Sequence, residues 1–190
     1  DIGGGPGRYS IELAKADHRV TLLDLSSQNV EMAKRKAKEL GAQLEDFVHG
    51  NALDLSRFAD VSFDVVLMMG PLYHLVELCD RERALQEALR VLKPGGLLFA
   101  SFITRYAIYI DLLKAAPEEI GERAKAYEKL AETGVSIPAD ENPGFTDAYF
   151  IHPMQIEPLM SEHGLTKVRL AVAEGLVAPV EAKVNALPDD

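Results

Sequence analysis

What most constrains the fold of this chain is an alternation: short, nearly uninterrupted apolar runs recur between stretches with helical spacing. The runs cover residues 19–24, 44–48, 63–69 and 97–102, and residues 1–2 read as the end of a further strand. Strands without polar alternation are buried on both faces, which is the habit of parallel strands covered by helices. Helices are expected over 8–16 and over 27–40. The second has Ser26 as N-cap, Gly41 as stop, and Val30, Ala33, Ala37 and Leu40 on one face. A later helix, capped by Asp80, carries Ala84, Leu85, Ala88, Leu89 and Leu92, and Lys93-Pro94-Gly95-Gly96 ends it. Strand and helix in strict succession make an α/β fold, a doubly wound, mostly parallel sheet with helices on both faces.

The pattern changes after residue 103. Residues 104–148 give two polar, Ala- and Glu-rich helical stretches broken at Pro117, read as a helical insertion or cap after the fifth strand. Residues 149–190 return to the sheet, with a helix from Pro153 carrying Ile156, Leu159, Met160 and His163, closed by Gly164. A sixth strand is expected over 165–172 and a short helix after Pro179. At 190 residues, a single domain is expected, with 1–103 as its core. The chain opens at Asp1-Ile2-Gly3, where a turn of this kind normally follows a strand of about five or six residues. A fragment of a longer protein is therefore expected.

Asp1-Ile2-Gly3-Gly4-Gly5-Pro6-Gly7 carries the most chemistry, because glycines let a ligand approach the backbone between strand and helix. Such turns also serve dinucleotides and phosphates, so the surroundings decide. Asp24, at the end of the second strand, can accept from both hydroxyls of a ribose, where a nucleoside would lie across the strand ends. Asn51, after the third strand, can accept from an adenine amino group or close a plain Asx turn.

These residues, with Phe63-Asp64-Val65-Val66 and Leu92-Lys93-Pro94-Gly95-Gly96, resemble the motif series of class I S-adenosylmethionine-dependent methyltransferases, a Rossmann-like family. The glycine spacing matches GxGxG, and Arg8 stands where the nicotinamide fingerprint would place its last glycine. The resemblance covers about half the chain. It implies S-adenosylmethionine as cofactor, with Asp1, Gly3, Gly4, Gly5 and Gly7 holding its methionine part and Asp24 its ribose. Leu25 would flank the adenine, Asn51 would take its amino group with Ala52 beside it, and Met69 would offer its carbonyl to the cofactor's own amino group. The family more often has Asp where Asn51 stands. It also usually ends in an antiparallel strand, for which no run follows Pro179, so truncation at both ends is expected.

Methyl transfer from a sulfonium releases a neutral thioether and needs no acid at the leaving group. Holding the reactants in line is worth up to about 7 to 11 kcal/mol, more than a general base usually adds. An inconspicuous catalytic site is therefore expected. Any base would come from Gly70-Pro71-Leu72-Tyr73-His74, at the carboxyl ends of the strands, with His74 as base and Tyr73 orienting the acceptor or capping the methyl group. Both residues could equally pack against the following helix. Tyr149-Phe150-Ile151-His152-Pro153 resembles a family segment that contributes to the acceptor pocket, and Arg105 and Tyr106 rank beside it.

Thirty acidic against twenty basic residues give a formal net charge of -10, which repels phosphate backbones. A small-molecule acceptor is expected, with no nucleic acid and no membrane. The histidines show no pairing with carboxylates or cysteine that would demand a metal. Cys79, the only cysteine, reads as a small buried hydrophobe, and a cytoplasmic location is the default. Two other readings stay open: a nucleotide-dependent oxidoreductase, and a non-catalytic cofactor-binding or interaction module.

Overall fold

A computed structural model describes residues 1–107, 109–110, 128–137 and 146–173. Two compact units divide the chain, Asp1–Phe102 and Ile103–Asp190. In the first, β1 (Thr21–Asp24) pairs in parallel with β2 (Asp46–His49), and β3 (Phe63–Met68) pairs in parallel with β4 (Leu92–Ala100). Residues 1–3 join the two ladders. Ile2 bridges Leu23 in parallel on one side, and its amide donates to the Leu67 carbonyl at 2.8 Å on the other. The spatial order is thus β2, β1, residues 1–3, β3, β4. The chain leaves residues 1–3 towards β1 and later returns on the opposite side as β3, which opens a crevice at the carboxyl ends of these two strands.

Leu22 and Leu23 are adjacent and buried, and in a strand they point to opposite faces. On the first face Leu22 packs with Val30 and Ala33 of α2 (Ser27–Glu39), with Leu44 and Phe47 alongside. On the second, Leu23 shares a cavity of about 30 Å³ with Leu55, Val66 and Val91, the last belonging to α4 (Leu78–Val91). Helices therefore lie on both faces at β1, whereas Val65 of β3 and Leu97 and Phe99 of β4 are 46%, 44% and 50% exposed, so those two strands are not buried on both faces as the sequence suggests. The Ser26 side chain accepts from the Asn29 amide at 3.3 Å, the expected cap of α2, while α1 (Arg8–Lys15) follows the glycine turn directly.

Several details differ from the sequence reading. Leu40 is exposed because α2 ends one residue before it. Asp80 lies inside the first turn of α4 rather than capping it, where its charge complements the helix dipole. Cys79 is exposed on that same turn, not buried. Lys93-Pro94-Gly95-Gly96 does not precede the fifth strand but is absorbed into it. Phe63 faces Leu92 and Val65 faces Leu97, so the four residues bulge out, with Gly95 at φ +77° and Lys93 paired to Asp64 at 2.7 Å.

In the second unit β5 (Val135–Ser136) and β6 (Ala148–Tyr149) are antiparallel, and Leu130 of α5 (Glu128–Thr133) packs with Ala148 and Phe150. The turn Pro153–Gln155 and α6 (Ile156–Glu162) match the expected late helix, and Gly164 at φ +77° follows it. The expected sixth strand does not form. Val168, Leu170 and Val172 are 82%, 59% and 80% exposed, without ladder partners among the described residues. Most of the predicted insertion, including Pro117, and the helix after Pro179 lie outside the described residues. Among the described residues, no helix is long and apolar enough to cross a membrane.

Candidate active site

The glycine turn is built by its own backbone. Gly3 and Gly4 donate their amides to the Leu23 carbonyl at 2.8 and 3.1 Å, and Gly3, Gly5 and Gly7 adopt φ of +68°, +54° and +85°. Such angles disfavour any residue with a Cβ. Two of these glycines have different second reasons. A Cβ on Gly3 would lie 2.7 Å from Pro71 Cγ, so α3 (Pro71–His74) sits directly on the turn. On Gly5 nothing lies within 4 Å of where a side chain would begin, so this part of the turn faces open space.

Asp24 is 7% exposed at the end of β1 and faces the glycine turn. Its carboxylate accepts from Gly5 N at 2.7 Å, from Ser26 N at 2.9 Å and from Asn29 Nδ2 at 3.1 Å. A carboxylate offers about four lone-pair directions, so three donors leave roughly one for a ligand. A ribose gripped through both hydroxyls would have to displace one of these bonds. Asp1 is turned inward too: it accepts from Ser10 Oγ at 2.7 Å beneath Gly4. Both acids shape the turn. Sequence reasoning missed Ser10 and Asn29, whose spacing from the turn gives no separate signal.

Beyond Asp24, Leu25 is 68% exposed, and His49 Nε2 donates to its carbonyl at 2.9 Å. Asn51 Oδ1 accepts from Leu53 N at 3.0 Å, the Asx-turn alternative, so the oxygen assigned to adenine already holds one donor. Ala52 beside it is buried.

On the other wall of the crevice, the Met69 carbonyl accepts from Ser101 Oγ at 2.6 Å and from Tyr73 Oη at 3.2 Å. Burial, and secondarily the neighbouring Tyr9, raise the Tyr73 phenol above its ordinary value, so it stays a proton donor. His74 is exposed, its ring centroid 4.7 Å from that of Tyr73. Gly3, Gly4, Gly5, Gly7 and Asp24 thus gather at one strand end and Met69 and Tyr73 at the next. Ser101 was missed, although its place just beyond β4, at a strand's carboxyl end, was the available signal.

In the second unit the Arg105 guanidinium donates to the carbonyls of Ala131, Glu132 and Phe150 at 3.1, 2.7 and 3.3 Å, so it serves packing there. Tyr106 Oη lies 3.5 Å from His152 Nε2, and His152 Nδ1 accepts from Met154 N at 3.3 Å. A groove of about 490 Å³ between α2 and the amino end of β2, lined by Lys34, Lys38 and Phe47, lies at the opposite end of the sheet from this crevice. Among the described residues, no three His, Cys, Asp or Glu side chains are placed to hold a metal ion.

Residues 1–100 match a family described as a methyltransferase domain. The tRNA 5-carboxymethoxyuridine methyltransferase of Escherichia coli K12 is 32% identical over 74% of this chain and 53% of its own length. The demethylmenaquinone methyltransferase of Clavibacter sepedonicus is 32% identical over 74% of this chain and 59% of its own. A crystal structure of a SAM-dependent methyltransferase from Methanosarcina mazei superposes with a TM-score of 0.65 at 26% identity, covering 85% of this chain and 76% of that one. The chain belongs to the methyltransferase-domain family, with its Rossmann-like fold and S-adenosylmethionine as cofactor. It spans only about half to three-fifths of the curated relatives it matches.

Proposed function

We propose that this chain is the catalytic core of an S-adenosylmethionine-dependent methyltransferase acting on a small-molecule acceptor. The observation that carries the cofactor half is the buried Asp24 carboxylate bonded to Gly5 N, beside a turn that is open at Gly5. These residues fit an adenosyl group: an acid for the ribose, bare backbone for the amino-acid part, and Leu25 as an exposed apolar platform for the base. S-adenosylmethionine supplies, when bound, a methyl group on a sulfonium. Glycine backbone at the turn and the Met69 carbonyl orient, Asp24 anchors, and α3 limits access by packing onto Gly3.

The net charge of -10 favours a small acceptor over a polyanion. The relatives act on different substrates, tRNA in one case and demethylmenaquinone in another, so the acceptor is read from this chain's own charge. His74, exposed on α3 at the crevice, is the candidate base for an acceptor that must lose a proton. Thermal unfolding with S-adenosylhomocysteine and, separately, with NADH tests the reading. At a hundredfold excess over its dissociation constant a ligand adds about 2.7 kcal/mol. A shift with the homocysteine derivative alone is expected, and one with NADH alone would overturn the proposal.

A further inference from the structure

The Met69 carbonyl has two lone pairs, and two hydroxyls already fill them, from residues 28 positions before Ser101 on one side (Tyr73) and from Ser101 itself on the other. The two bonds are unequal. At 2.6 Å the Ser101 bond is within the ordinary O–H···O range, whereas the Tyr73 bond at 3.2 Å lies beyond it. Ser101 is also fixed by its backbone, its amide donating to the Met68 carbonyl at 3.1 Å. Tyr73 reaches the carbonyl through the longer of the two bonds and from a helix of only four residues, so its phenol is the partner more easily displaced.

An ammonium group has three donors and no acceptor, and its charge makes each of its hydrogen bonds about twice as strong as a neutral one. Three donors cannot all be well served by one carbonyl oxygen. We propose that the Tyr73 hydroxyl is a placeholder for the cofactor's ammonium at the Met69 carbonyl: it holds the carbonyl in the free protein and is displaced on binding, while Ser101 stays. This rests on the cofactor reading above and gives Tyr73 a role different from capping the methyl group. Displacement also frees the phenol beside His74, so occupancy of the cofactor site is passed to the α3 residues nearest the acceptor.

The test compares S-adenosylhomocysteine, which carries the ammonium, with 5′-methylthioadenosine, which lacks it, by isothermal titration of the full chain. Removing the competing hydroxyl in Tyr73→Phe restores roughly one neutral hydrogen bond to the ammonium ligand. It should tighten S-adenosylhomocysteine by about two- to fivefold and leave methylthioadenosine within about 1.5-fold. Ser101→Ala relieves the same crowding, so the double variant should gain no more than either single one, and Ser101→Ala alone carries the ratio test should Tyr73→Phe not fold. An unchanged or reduced preference for S-adenosylhomocysteine in Tyr73→Phe, or in Ser101→Ala should Tyr73→Phe not fold, or simple additivity in the double, would overturn the placeholder. Failure of the unaltered chain to bind either compound would instead overturn the cofactor reading on which it rests.

Discussion

Asp24→Ala separates the clasp on the glycine turn that the structure shows from the ribose contact proposed above. The carboxylate receives Gly5 N, Ser26 N and Asn29 Nδ2 within 3.1 Å. A hydrogen bond to a charged group contributes about 1.5 to 3 kcal/mol, but Gly5 and Ser26 are only half-buried and water can replace much of what they lose. About 1 kcal/mol for each orphaned donor gives a loss near 2 to 4 kcal/mol, or roughly 5 to 15 °C in melting temperature for a chain of this size. Binding should suffer separately. Loss of the ribose acceptor, worth about 1 to 3 kcal/mol, should weaken S-adenosylhomocysteine by about 5- to 150-fold. Asp24→Asn keeps the volume but has one acceptor oxygen, and its amide must face at least one of the three donors, so it should fall between the parent and alanine in stability. Scanning fluorimetry without ligand and titration calorimetry with it read the two effects. A melting temperature within about 1 °C of the parent would refute the clasp on the glycine turn. A lowered melting temperature with unchanged affinity would refute the ribose contact and leave the clasp standing.

Gly3→Ala and Gly5→Ala should behave differently although both positions have positive φ. At Gly3 the added carbon meets Pro71, so thermal unfolding should show the larger loss, about 2 to 4 kcal/mol, whereas at Gly5 only the backbone strain of about 1 to 2 kcal/mol applies and calorimetry should show the main effect on S-adenosylhomocysteine affinity. His74→Ala should lower turnover at least tenfold, with S-adenosylhomocysteine affinity within about twofold, once an acceptor that must lose a proton is supplied. Glu87, hydrogen-bonded by the Arg90 guanidinium and by Leu55 N at 2.7 Å, is held below its ordinary value of 4.5 chiefly by the Arg90 bond. Its folded value is the lower one, so its stabilisation is present above about pH 4.5 and disappears as pH falls through the depressed value. Glu87→Gln should therefore cost about 1 kcal/mol at pH 7, and denaturant unfolding should show a shallower decline from pH 5 to pH 3 than in the parent.

The elements that were legible are those whose cause is local. An apolar stripe at helical spacing placed Val30, Ala33 and Ala37 in the core, and the Ser26 cap and the β1 and β3 runs followed from neighbouring residues alone. The extended run 165–172 failed for the complementary reason: alternation of Val168, Leu170 and Val172 records readiness to pair, and a strand exists only where an edge receives it. The bulge at Lys93-Pro94-Gly95-Gly96 read as a terminator because its register is set by Phe63 and Val65, some thirty residues earlier. In the crevice, the strand-end positions of Asp24 and Met69 were readable and their hydrogen-bond partners were not, whereas the Asx turn of Asn51 was among the alternatives its own neighbourhood offered. Asp24 and Met69 have oxygens engaged with groups 19 and 32 positions away. Ser101 on the Met69 carbonyl joins positions 32 apart, a relation no window of sequence contains.

Residues 1–3 form a seam in the middle of the sheet, with one amide, Ile2, tied to the β3 side and the next, Gly3, tied to the β1 side. A load placed on the glycine turn is thus shared by two ladders that otherwise have separate registers. Ligand-induced slowing of hydrogen–deuterium exchange should consequently spread to both flanks together, at Leu23 and in the Leu67–Met68 stretch, instead of stopping at the residues that touch the ligand.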